Sequence, residues 1–260
     1  MTLPFAGRGE PLTSRGLDAA AAELGCGLAA VGAVIEVETS GCGFLPDRRP
    51  KILFERHVFR RETGGRFDAT APDLSSATWG GYGDPGAYQY DRLARALALD
   101  RTAALRSCSW GLAQIMGHNA QTAGFADAEA MAAAFAASED VQVAALARFC
   151  IAEGLDAALR DRRWTDFARR YNGPAYAANR YDERLAAAHD RLARSGPANL
   201  AVRAAQMHLL YLGYAPGAVD GDAGPRTRSA VASFQRDAGL PATGGLDAAT
   251  IDRLRRDAMG

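Results

Sequence analysis

Glu38 stands where the helical pattern of its own segment calls for an apolar side chain. In the run Leu28 to Glu38, Val31, Val34, Ile35 and Glu38 fall at i, i+3, i+4 and i+7, the stripe a helix turns toward a core. A carboxyl half-buried among apolar groups has its charged form disfavoured, so its pKa rises and it can hold a proton near neutrality. A general acid needs that property. Glu36, roughly 200° round the same helix, joins Gly32 and Ala33 on another face and serves as an internal control. The plainer alternative has Glu38 ending its helix at the edge of the core, with Ser40 and Gly41 as the stop.

Glu55 is the candidate second carboxylate. Lys51 to Phe59 (KILFERHVF) reads as a strand, punctuated by Pro50 before it and Thr63 to Gly65 after it. Alternation along that strand puts Glu55 on one face with Leu53 and His57, opposite Phe54 and Arg56. There it would activate water or stabilise a developing cation; the alternative is a surface ion pair with a neighbouring arginine. Asp68, Asp73 and Asp84, in the irregular stretch Gly64 to Gly86, compete for the same role. Trp79, Tyr82, Tyr88 and Trp110 offer faces on which sugars stack, with core packing the alternative for Trp110.

The elements that position these groups are mainly helical. Thr13 or Ser14 caps a first helix through Leu24, Ala87 to Leu105 reads as a further helix, and Met131 to Leu159 and Trp164 to Leu192 supply the rest, with Gly154 as a break. A small sheet or hairpin sits beside them. The 260 residues, 48% of them hydrophobic, suffice for one sizeable domain and a small one. Ala193 to Asn199 (ARSGPAN) interrupts helical periodicity and divides the chain into 1–196 and 197–260.

Composition also sets limits. The formal net charge is zero, with none of the basic excess that would favour nucleic acid or an anionic membrane surface. No apolar stretch approaches the length of a bilayer span, and Met1 to Pro11 has no apolar core of signal-peptide length. A start in the cytoplasm is therefore expected. Cys26, Cys42, Cys108 and Cys150 form no CxxC pair, and His57, His118, His189 and His208 show no ligand spacing. Reduced thiols, no metal and no cofactor are expected. The Asp220 to Asp222 triplet is not a calcium loop, because Val231 occupies the position of the bidentate glutamate.

Gln206, Leu212, Gly213, Tyr214, Val219, Asp220, Gly221, Gly224, Pro225, Thr227, Ala230, Phe234, Gln235, Thr243, Gly244, Asp247, Thr250 and Leu254 resemble, in order, the three-helix peptidoglycan-binding domain of cell-wall hydrolases. The same residues make local sense: Asp220 and Gly221 turn, Pro225 starts a helix and Asp247 caps the last one. The loop around Asp220 and the segment Arg226 to Phe234 are the candidate wall-facing surface.

Upstream, Val34 to Phe44 (VIEVETSGCGF), Arg49 to Glu55 (RPKILFE), His57 and Phe59, Ser109 to Gly117 (SWGLAQIMG) with Asn119, and Tyr171 to Gly173 (YNG) with Tyr176 and Tyr181 resemble the phage-type N-acetylmuramidase family. Members of that family serve as modular endolysins of phages infecting Gram-negative bacteria. A more distant likeness runs to goose-type lysozymes and soluble lytic transglycosylases, in which a catalytic Glu is followed by Ser. Here Thr39 follows Glu38 and keeps the hydroxyl.

The resemblance implies a mainly α, lysozyme-like catalytic domain with a small β-hairpin or sheet over 1–196, and a three-helix wall-binding domain over 197–260. It implies cleavage of the β-1,4 bond between N-acetylmuramic acid and N-acetylglucosamine. Glu38 is then the acid and Glu55 the second catalytic carboxylate. His57, Ser109, Gln114, Tyr171 and Asn172 are substrate-binding, with the Tyr171 hydroxyl fixing the Glu38 carboxyl. Lytic transglycosylation to 1,6-anhydro products is the alternative; a zinc amidase or peptidase, or a non-enzymatic wall adhesin, are others. The expected partner is the peptidoglycan glycan strand, met as a monomer, with no nucleic acid and no membrane. The expected location is the cytoplasm until release to the periplasm or wall.

Overall fold

Helix α1 (Ser14–Leu24) begins where the Thr13 hydroxyl accepts the Gly16 amide and ends at Gly25, whose φ of 64° is the left-handed stop a glycine makes easily. Its partner α2 (Leu28–Thr39) carries Glu38. The computed structural model describes residues 4–39 and 41–260. In it α2 is covered on most sides, with Ala30, Val31, Ala33, Val34, Ile35 and Val37 all buried. The apolar face is thus wider than the single stripe the sequence indicates. Among the described side chains of α2, Glu36 is exposed, while Leu28, Ala29, Gly32 and Glu38 are partly buried.

The strand expected over Lys51 to Phe59 is shorter. Strand β1 (Ile52–Phe54) stops at Glu55, which occupies the N-cap position of α3 (Arg56–Thr63). The Glu55 carbonyl accepts the amides of Val58 and Phe59, so the chain turns into a helix instead of extending. Val58, Phe59 and Thr63 then form its buried side, a helical spacing that the apolar run conceals.

The expected helix from Ala87 to Leu105 breaks once. Asp100 ends α4 (Ala87–Leu99) and caps α5 (Arg101–Arg106) by accepting the Ala103 amide. Strands β2 (Cys108–Trp110) and β3 (Ile115–Met116) complete an antiparallel sheet in the order β1, β2, β3, with Leu53 opposite Ser109 and Ser109 opposite Met116. Helices α6 (Ala128–Phe135), α7 (Glu139–Ala152), α8 (Asp156–Arg160), α9 (Trp164–Tyr171) and α10 (Tyr181–Ser195) follow. The first two helices are clasped by these: α1 lies on α7, and α2 lies on α10.

Two buried polar side chains of α4 hold the irregular segment 64–86. Gln89 donates to the Tyr82 and Asp84 carbonyls and accepts the Phe54 amide, while Arg92 donates to the Asp73 and Tyr82 carbonyls. This loop has no regular structure of its own and is ordered from beneath.

Beyond residue 196, α11 (Leu200–Tyr211), α12 (Pro225–Asp237) and α13 (Ala248–Met259) share a small core of Ala205, Leu209, Ala230, Val231, Phe234 and Leu254. Gln206 and Gln235 perform the same task twice. The Gln206 amide holds the amides of Asp220 and Gly221 and donates to Asp220, Asp222 and Thr227. Gln235 holds Gly244 and donates to Thr243, Gly245 and Thr250. The motif glutamines and threonines are therefore loop clamps. Among the described residues no single helix is long and apolar enough to cross a bilayer.

Gln142 on α7 is wholly buried, accepts the Leu112 amide at 2.6 Å and donates to the Phe135 carbonyl at 2.8 Å. Gln142→Leu would orphan both groups. We expect it to lower stability by about 2–5 kcal/mol, read as a lower urea midpoint, whereas Gln121→Leu, whose side chain bonds in an exposed setting, should leave the midpoint nearly unchanged.

Candidate active site

Two segments converge on the last turn of α2. Asn172, at the C-terminus of α9, donates through Nδ2 to Glu38 Oε1 at 3.0 Å. Gly173 follows at a φ of 76°, so the chain can reverse there with the amide still aimed at the carboxyl. From α10, Arg184 donates to the Val37 carbonyl at 3.1 Å, satisfying one of the orphan acceptors at the end of α2, and lies over the Tyr181 ring.

Electrostatically the carboxyl is a contest that burial wins. Removal from water pushes Glu38 up to about 7, against the opposing pull of the Asn172 hydrogen bond and the Arg184 charge. Burial and the Glu38 charge together drive Tyr171 well above the usual phenol range and raise Tyr181, so both phenols stay neutral. Among the described residues the groups facing Glu38 are thus one amide, two neutral phenols and one guanidinium. The other Asn172 atom, Oδ1, is buried with no partner and is a free acceptor beside a carboxyl that carries a proton near neutrality. The arrangement can deliver a proton to an oxygen and hold an N–H next to it.

Tyr171 does not fix Glu38 directly as the sequence implies. Its hydroxyl donates to the Ala113 carbonyl at 2.7 Å, and its ring stacks on Phe167 at 5.0 Å. Ala113 belongs to the turn from Gly111 to Gln114, closed by the Gln114 amide on the Gly111 carbonyl at 3.3 Å. That turn is tightly specified. A Cβ on Gly111, at φ 68°, would lie 2.8 Å from the Gln142 side chain and from Phe135. Gln114 adopts a φ of 49°, accepts the Ser109 hydroxyl at 2.9 Å, and donates to the carbonyls of Gly111 and Lys51. Ser109 and Gln114 are therefore brought together, and the Gln114 amide is engaged in holding the turn that supports Tyr171.

Glu55 and His57 form a second group. Alternation along a strand does not place them together; the first turn of α3 does, bringing His57 Nδ1 within 3.2 Å of Glu55 Oε2, although neither atom makes an aligned hydrogen bond. Burial raises the Glu55 carboxyl, while the Tyr82 hydroxyl bonded to it and the charge of Arg92 act in the opposite direction. Burial and the charges of Arg61 and Arg56 lower His57, keeping it neutral. Beside Tyr82, Trp79 meets it edge-on at 5.8 Å and is 62% exposed. Tyr88 is also exposed, whereas Trp110 is fully buried and bonds the Leu105 carbonyl as part of the core.

The rival aspartates are engaged elsewhere: Asp68 with Arg60 and Ser75, Asp73 with Arg95. No set of three metal-ligating side chains is gathered among the described residues. All four cysteines are free thiols. Sequence reading misses Arg184, whose signal is a position at i+3 from Tyr181 and i−4 from buried Ala188 on the helix side that meets α2.

Comparison with known proteins adds three findings. Residues 27–193 match the model of the Muramidase family, N-acetylmuramidase, and residues 199–254 match that of the putative peptidoglycan-binding domain. The crystal structure of the Burkholderia AP3 phage endolysin is similar with a TM-score of 0.66 and 44% identity, over 72% of this chain and 72% of that one. The localization factor PodJL of Caulobacter vibrioides is 53% identical over 57 residues, 22% of this chain, and this chain spans only 6% of the length of that protein.

A carboxyl held near 7 when folded, against its ordinary 4.5, binds its proton more tightly in the folded state. That contribution is complete below the ordinary value and is lost as pH rises through 7. At about 1.4 kcal/mol per unit, Glu38→Gln should gain roughly 2–3 kcal/mol relative to the parent between pH 5 and pH 8, measured by urea unfolding at both.

Proposed function

From the premise that the chain belongs to the N-acetylmuramidase family, we propose that it is an endolysin, a lytic glycoside hydrolase that cuts peptidoglycan at the β-1,4 bond between N-acetylmuramic acid and N-acetylglucosamine. The observation that carries this reading is the Glu38 carboxyl buried at the end of α2 and held by Asn172 Nδ2 at 3.0 Å, with burial pushing its pKa up to about 7. Breaking a glycosidic bond leaves an alkoxide unless a proton arrives as the C–O bond stretches. Glu38 supplies it. The unpartnered Asn172 Oδ1 accepts an acetamido N–H of the sugar, and Arg184 stabilises the carboxylate that remains once the proton has left.

Glu55, His57, Tyr82 and Trp79 contribute the flank of the glycan path. Trp79 offers an exposed apolar face to a pyranose ring, and Tyr82 with Glu55 and His57 offers hydrogen-bonding groups next to it. Glu55 is the candidate to activate the attacking water. Lytic transglycosylation, in which the muramic acid C6 hydroxyl attacks instead, requires no such base. The wall-binding domain keeps the enzyme on its polymeric substrate between cuts, and release from the cytoplasm to the periplasm gives it access to the wall.

Mass spectrometry of fragments released from purified Gram-negative sacculi tests this. Reducing muropeptides are expected; products lighter by one water would make the enzyme a transglycosylase, and cleavage at amide bonds would sink the proposal. Glu38→Gln should lower the release rate by about 10²–10⁴-fold. Glu55→Gln should lower it by about 10²-fold or more if that carboxylate activates water, and otherwise leave hydrolysis close to the parent rate.

The acid must be protonated to act, so activity should decline on the alkaline side with a midpoint near 7. The Asn172 hydrogen bond favours the ionised form. Asn172→Ala should therefore move this midpoint upward while reducing the rate at the optimum, a combination visible in pH–rate profiles.

A further inference from the structure

The wall-binding domain reaches into the catalytic domain through Arg203. Arg203 of α11 is 2% exposed and places both terminal nitrogens on Glu139, a fully buried carboxylate at the start of α7, at 2.5 and 2.8 Å. Glu139 also accepts the amides of Leu12 at 2.9 Å and Gly43 at 2.8 Å. The same guanidinium donates to the Gly41 carbonyl. Gly41 and Gly43 lie three and five residues beyond Glu38.

Apolar contact reinforces the point. Cys42 and Phe44 of the catalytic domain pack with Met207, Val219 and Tyr211 of the wall-binding domain. A Cβ on Gly41, at φ 86°, would stand 2.3 Å from the Val219 carbonyl. The loop around Asp220, a candidate wall-facing surface by sequence, abuts the catalytic domain instead. Next to this seam lies a crevice of about 770 Å³ between α2 and α10 on one side and the linker and residues 218–222 on the other, and the junction also includes the Tyr211 hydroxyl donating to the Gly9 carbonyl at 2.7 Å and Arg48 donating to the Ala258 carbonyl.

From the segment so gripped, hydrogen bonds continue toward the site. The Gly43 carbonyl accepts the Lys51 amide at 2.7 Å, the Lys51 carbonyl accepts Gly111 and Gln114, and Ala113 of that turn holds Tyr171. We propose that Arg203 is a positioning residue for glycan cleavage: through Glu139 and the Gly41 carbonyl it fixes residues 41–43 and, by the bonds that run from them through Lys51 and the Gly111–Gln114 turn, the Tyr171 side chain beside Glu38, making the wall-binding domain a structural part of the active site as well as a tether. The proposal rests on the reading of Glu38 as the acid.

The test uses the full chain with Arg203→Met, Arg203→Lys, and Arg203→Met combined with Glu139→Gln. The combined variant keeps the experiment readable where Arg203→Met alone fails to fold, because it leaves no buried charge unpaired. Each is checked for cooperative melting, sedimentation with sacculi, kcat and KM for release of dye from labelled sacculi, and the pH profile. Positioning predicts retained sedimentation and KM, kcat lower by roughly 10–100-fold, an alkaline midpoint moved below that of the parent as water enters beside Glu38, and partial recovery of kcat in Arg203→Lys. A folded variant with parental kcat and midpoint overturns the proposal, whatever its KM or sedimentation. Glu38→Gln is run in parallel: if it keeps activity, the acid assignment itself falls, whereas an inactive Glu38→Gln beside a fully active Arg203→Met removes the positioning role alone.

Discussion

The first turn of α7 buries a carboxylate and an amide three residues apart, and neither group tolerates burial without partners. Glu139 and Gln142 face the same way, and between them they hold Leu12, Gly43, Leu112, Phe135 and Arg203. Leaving any one of these polar groups dry and unbonded costs more than the net value of a typical hydrogen bond. The loops therefore have few alternatives to the positions in which they are found. Gly43 and Gly111 are glycines for the same reason, since a Cβ on either would collide with the Gln142 side chain.

On this frame rests the opposite kind of burial, that of Glu38, which is left under-solvated on purpose by its surroundings. Its proton is retained because the helices on either side exclude water, and its orientation is retained because Asn172 and Arg184 arrive from two other elements. One carboxyl is hydrogen-bonded in full, and the other is poorly satisfied, with its pKa pushed up to about 7. The difference follows from partner count: four donors converge on Glu139, whereas a single amide reaches Glu38.

The burial of Glu38 was legible in the sequence because that carboxylate, unlike Glu36, falls in the apolar stripe of its helix, a local pattern. So were the Thr13 and Asp247 caps and the turn residues around Asp220, since each acts within a few positions of itself. The helix after Glu55 was not, because Val58 and Phe59 fit a strand as well as a helix and the choice is made by two backbone amides turning back on one carbonyl. The true partner of Tyr171 lies 58 residues away, at a backbone carbonyl that no side-chain pattern marks. Glu139 was hidden for a different reason: an acid in the first turn of a helix after a serine cap reads as an ordinary dipole partner, and its arginine belongs to the other domain.

Arg203 is synthesised 64 residues after Glu139. A nascent chain that closed its first domain early would bury a carboxylate with no guanidinium yet made to meet it, at a cost of several kcal/mol. The segment from Gly41 to Phe44 is thus better left open on the ribosome until α11 emerges. The wall-binding module, whose glutamine clamps span only 8 to 21 residues, can by contrast assemble as soon as it is complete. Translation order alone then ties completion of the first domain to the emergence of α11, the opening helix of the module that follows it.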